Sequence, residues 1–149
     1  MERRMIDFTS VDGQCSFTLA QDLDENRVNW KHGSLQTTCL LRRERAQMRV
    51  DCMHDLGALS AFAAELRMMH RNLQIGTQTS LWDLGSALIV RVTLVDRGAV
   101  TVRCMMVKPG RGVSEGMSAS LVIDQTYLPA LAEGAEKLGR CGARRPGTA

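Results

Sequence analysis

Aromatic side chains make up only 4% of this chain, and histidine and proline appear three times each. So few rings leave too few stacking platforms for a protein that binds single-stranded RNA or DNA. The histidines, His32, His54 and His70, fall at no spacing that a zinc site or a catalytic set requires. Five cysteines, at positions 15, 39, 52, 104 and 141, form no CxxC pair, and an odd number makes a poor disulfide framework. They suit a reducing cytoplasm. Apolar runs such as 58–64 and 87–90 fall far short of the roughly 20 residues that a membrane-crossing helix needs. The opening residues Met1 to Asp7 include basic side chains with no apolar run behind them, which is not the pattern of a secretory signal. The expectation is a cytoplasmic protein without a membrane partner.

Charge of one sign is also lacking. Nineteen basic residues are interspersed with 16 acidic ones for a net +3, a weaker bias than nucleic-acid binders carry. Arg42, Arg43 and Arg45 cluster at a predicted hairpin turn, and Arg140, Arg144 and Arg145 in a tail with Gly and Pro, where solvated charge is the simplest account. The segment Gly110-Arg111-Gly112 with Gly116 lacks the lysine and Ser/Thr of a phosphate-binding loop, so it is expected to be a hairpin loop.

What is present is a globular balance, with 44% hydrophobic and 23% charged residues over 149 positions. One α+β domain over 1–139 and a flexible basic tail over 140–149 are expected. Alternation marks the strands, because successive side chains on a strand point to opposite faces. Ile6 and Phe8 precede the Asp12-Gly13 turn, and Cys15, Phe17 and Leu19 follow it, which predicts an opening hairpin. Leu35, Thr37, Cys39 and Leu41, then Met48, Val50 and Cys52, predict a second hairpin with Cys39 near Cys52 on the buried side, where cysteine behaves as a small hydrophobe. Leu88 to Leu94 and Val100 to Met106, joined through Asp96-Arg97-Gly98, predict a third, and Met117 to Ile123 a final strand.

Between the second and third hairpins the period becomes helical. Leu59, Phe62, Ala63, Leu66 and Met69 share one stripe, with Asp55 available as N-cap, which predicts a helix over 56–71. A closing helix with Leu128, Leu131, Ala132, Ala135 and Leu138 follows Thr126, with Pro129 tolerable in its first turn and Gly134 weakening it. The fold class is therefore α+β: a largely antiparallel β-sheet, a central amphipathic helix between strand groups, and a C-terminal helix.

Chemistry-bearing groups are sparse. Cys52, His54 and Asp55 stand close in sequence, but a strand that buries Cys52 packs the nucleophile away from any substrate. No catalytic residue, cofactor or metal is expected. The third hairpin is more informative: its face opposite the core carries Ile89, Val95, Met105 and Val107, relieved by Arg91, Thr93, Thr101 and Arg103. Such a face is either covered by the rest of the fold or is a partner site, in which case Arg91, Arg103 and Met105 are its contacts and a homodimer or another protein its occupant.

The stretches 57–66 (GALSAFAAEL) and 80–88 (SLWDLGSAL), the Asp96-Arg97-Gly98 turn and the Asn29-Trp30 step resemble the WapI-type immunity proteins of bacterial polymorphic toxin systems. The resemblance spans roughly residues 26–138. It implies an intracellular protein without enzymatic activity that blocks a cognate toxin at its active site or substrate surface. Hot spots favour tryptophan beside a polar rim, so Trp30, following the acidic run Asp22, Asp24 and Glu25, is a further expected contact set for such a toxin.

Overall fold

A computed structural model describes residues 5–21, 28–29, 33–96, 98–109, 112 and 114–140. Its strands form two antiparallel sheets. The first contains β1 (Met5–Thr9), β2 (Cys15–Gln21), β3 (Val28–Asn29), β4 (Ser34–Arg43) and β5 (Ala46–Asp55). β2 and β5 flank β4, β1 lies outside β2, and the short β3 pairs the start of β4. The second is a meander of β6 (Gln78–Trp82), β7 (Leu88–Asp96), β8 (Ala99–Pro109) and β9 (Ser114–Asp124). The predicted hairpins are all present, and sequence reasoning that anticipated a largely antiparallel sheet meets two such sheets sharing one core.

The registers follow from which face is buried. Phe8 pairs Phe17, and their rings stack with centroids 4.9 Å apart. Cys39 pairs Val50 and Thr37 pairs Cys52, so Cys39 and Cys52 are diagonal neighbours on the inner face. In the second sheet, Leu88, Val90, Val92 and Leu94 of β7 and Val100, Val102, Cys104 and Met106 of β8 point inward and are buried. Side chains from both sheets meet in one hydrophobic cluster, and the Cys39 thiol donates to Met106 Sδ at 3.7 Å across it. Backbone bonds tie the sheets together as well: Val11 N–H donates to the Val122 carbonyl, and Leu84 N–H to that of Met53.

Two helices complete the core. In α1 (Leu56–Asn72), Asp55 caps the N-terminus by accepting from Ala58 N–H at 2.9 Å. The buried stripe is the one the spacing predicts: Leu59, Phe62, Ala63, Leu66 and Met69. Residues of α2 (Leu128–Gly139) continue from a 3₁₀ turn at Gln125–Tyr127 whose first residue follows the cap Asp124. Pro129 sits in the first turn of α2, where its missing N–H has no intrahelical acceptor to lose. Arg67 of α1 pairs with Glu136 of α2, Nε lying 2.6 Å from Oε1. Gly134 lies against the backbone of Met5, where a side chain would collide with β1. No helix among the described residues is long and apolar enough to cross a membrane.

Candidate functional site

With the inner faces of both sheets consumed by the core, the outer face of the second sheet is set by parity. Residues at even positions of β6 and at odd positions of β7 and β8 point away from the core, and those at even positions of β9 join them. Register aligns them in rows that cross all four strands. One row reads Trp82, Ile89, Met105, Ser118; the next Ser80, Arg91, Arg103, Ser120; the third Gln78, Thr93, Thr101, Val122. Trp82 is 54% exposed and Met105 46%, so the apolar row is open to solvent, with Ile89 half-buried between them. Val95, Val107 and Val122 are exposed too. The alternative that the rest of the fold covers this face does not hold for these residues.

Arg91 and Arg103, both exposed, are direct cross-strand neighbours. Like charges placed opposite each other on a ladder are destabilising, and no acidic side chain pairs with either among the described residues. A third arginine joins from the first sheet. Arg43, at the end of β4, crosses to β9 and donates from Nη1 to the Ser118 carbonyl at 2.9 Å. Arg43 and Arg103 thereby line a cleft of about 390 Å³ with Met105, Ser118 and Ser120. The arrangement offers planar guanidinium donors and hydroxyls beside an apolar wall, which is the chemistry that holds a carboxylate or another oxyanion.

A second concentration of polar groups lies inside. His54 is fully buried, with Nδ1 3.1 Å from the Trp82 carbonyl; that oxygen only accepts, so Nδ1 carries the proton. Among the described residues, its Nε2, Thr37 Oγ1 and Ser34 Oγ are buried and have no hydrogen-bond partner. Burial pushes the Cys39 thiol above its ordinary range. Cys39, Cys52 and Cys104 are all core residues, as their position on the inward-facing alternation implies. Asp83 bridges this region to the second sheet: Oδ1 accepts from Met53 N–H at 2.6 Å and Oδ2 from Ala87 N–H at 2.8 Å. A wider cleft of about 950 Å³ lies over these groups, lined by Arg49, Asp51, Cys52, Asp83, Ser86 and Lys108, and its charges are mixed. Among the described residues no three His, Cys, Asp or Glu side chains are grouped to hold a metal ion.

The sequence-named residues divide in two. Arg91, Arg103 and Met105 come together on the outer face of β7 and β8. Asp22, Asp24, Glu25 and Trp30 lie outside the described residues. Sequence reasoning missed Trp82, Ser80, Ser120 and Arg43. Trp82 was detectable from its parity with Ser80 on a short strand, whereas Arg43 enters only because the two sheets meet at β9. Comparison with protein-family models, with curated proteins and with solved structures finds no match.

Proposed function

We propose that this chain is a non-catalytic protein-binding module that docks its partner on the outer face of the second sheet. The row Trp82, Ile89, Met105, exposed at Trp82 and Met105 with Ile89 half-buried between them, carries that conclusion. Tryptophan and arginine are the side chains that most often dominate binding energy, and here they stand in adjacent rows on a rigid four-stranded support. An apolar stripe beside charge has the anatomy of an interface core with its polar rim.

In its narrower form, resting on the resemblance of 57–66, 80–88 and the 96–98 turn to WapI-type immunity proteins, the partner is a bacterial toxin neutralised in the cytoplasm. The test is to look upstream for a gene encoding a large secreted protein with a toxic C-terminal domain, whose absence would remove the toxin assignment, and to co-express that domain with this chain. Growth should be rescued by the native chain and the two proteins should co-elute as one complex. Rescue should be lost in Trp82→Ala/Met105→Ala, with thermal stability retained. Failure of the native chain to rescue growth or form a complex removes the toxin assignment. Rescue that survives the double substitution removes the face.

A further inference from the structure

We infer that the partner presents a carboxylate side chain, and that it seats between Arg103 and Arg43 with Arg91 alongside; this rests on the outer face being the docking surface. The free protein places two exposed arginines opposite each other and brings the guanidinium of a third over β9, with no acidic side chain answering Arg91 or Arg103 among the described residues. The repulsion is present in the unbound state and is relieved by whatever supplies negative charge. A carboxylate matches the fork of a guanidinium with two parallel hydrogen bonds, and Ser118 and Ser120 on the wall of the cleft add hydroxyl donors. Met105 on the same wall, with Ile89 and Trp82 continuing its row, excludes water once the partner is seated, which strengthens a charge-assisted bond.

Other occupants fit less well. A nucleic-acid backbone is held by several cations spaced along a track, but the rows on either side of the arginines carry Trp82, Ile89 and Met105, or Gln78, Thr93, Thr101 and Val122. A second copy stacked face to face about a central two-fold axis would set one arginine row against the other. A toxin bound here therefore offers an acidic surface, which separates it from toxins whose cationic active sites are blocked by acidic inhibitors.

The experiment uses the full chain and two probes of similar charge, acetyl-tetraglutamyl amide and a thymidylate tetranucleotide, at one ionic strength. Nitrogen-detected arginine side-chain resonances report the contact. The glutamyl peptide should shift Arg91, Arg103 and Arg43 saturably, and bind about tenfold more weakly to Arg91→Gln/Arg103→Gln. No shift with the peptide, unchanged binding by the variant, or tighter binding of the oligonucleotide each overturns the carboxylate assignment. The growth assay separates the two levels. Rescue lost in Trp82→Ala but intact in Arg91→Gln/Arg103→Gln keeps the face and removes the carboxylate; rescue intact in both removes the face as well.

Discussion

Arg91 stands directly across the β7–β8 ladder from Arg103, and the free protein supplies neither with an acidic partner among the described residues. A single neutral replacement should therefore stabilise the fold. Arg103→Thr also introduces a residue well suited to a strand, and a gain of about 0.2–1 kcal/mol is expected in urea unfolding. Added salt screens exposed charges, so the gap from the native chain should shrink as ionic strength rises. A gap that is zero or independent of salt would show that the two side chains splay apart without cost.

Gly134 gives the opposite sign from its helix propensity. Replacing a mid-helix glycine by alanine ordinarily stabilises by about 1 kcal/mol. Here the added carbon would run into the Met5 carbonyl and the backbone leading to Ile6. Backbone yields less readily than a side chain, so Gly134→Ala should destabilise by about 1–3 kcal/mol. A raised melting temperature would mean that α2 can move off β1.

Asp83 fastens the loop between β6 and β7 to the edge of β5. Its two oxygens satisfy Met53 N–H and Ala87 N–H, and its side chain is buried. Asp83→Ala strands both donors, with an expected loss of about 2–5 kcal/mol from two buried unmet groups. Asp83→Asn keeps one acceptor oxygen and should lose less. Equal melting temperatures for the two variants would refute this division.

Much of the architecture was legible because alternation and helical spacing are written locally. Phe17 and Leu19, or Val90 and Val92, reveal a buried strand face wherever that strand is placed. Asp55 and the stripe from Leu59 to Met69 give α1 its start and its buried side. What adjacency does not encode is the meeting of distant elements. Gly134 looks like a weakness in α2 until Met5 is placed against it. Arg43 looks like turn charge until β9 comes within reach, and Asp83 like loop polarity until β5 presents Met53 N–H. On the candidate surface, parity alone marked Arg91, Arg103 and Met105 and put Trp82 on one face with Ser80, while the pairing of β6 with β7 is what sets Trp82 beside Ile89 and Met105.

Two turn carboxylates set a pH dependence. Asp12 is held below its ordinary value mainly by the Ser10 hydroxyl and the Gln14 N–H, and Asp124 mainly by the Thr126 N–H. A carboxylate with a lowered value in the folded state binds fewer protons there than in the unfolded chain. Its stabilisation is complete above the ordinary carboxylate range and fades as pH falls through the lowered value. In the acid limb of a stability–pH curve, Asp12→Asn/Asp124→Asn should therefore show a shallower slope than the native chain. Parallel acid limbs would remove both groups as contributors.

Trp82 decides where the partner docks. Its ring is 54% exposed at the end of edge strand β6, while its backbone carbonyl receives the His54 hydrogen bond. Truncation to alanine leaves that backbone bond in place and opens no cavity, so stability should change by less than about 1 kcal/mol. Leu121, fully buried in the same sheet, makes the contrast: Leu121→Ala should cost about 2–5 kcal/mol. If the outer face is the docking surface, Trp82→Ala weakens partner binding by about 2 kcal/mol or more despite its near-native melting curve. The rival contact set is Trp30 with Asp22, Asp24 and Glu25. Binding that is indifferent to Trp82→Ala but collapses in a stably folded Trp30→Ala moves the site to that segment, and with it reverses the sign of the charge the partner must carry. Melting and binding measured on the same three preparations distinguish a lost contact from a lost fold.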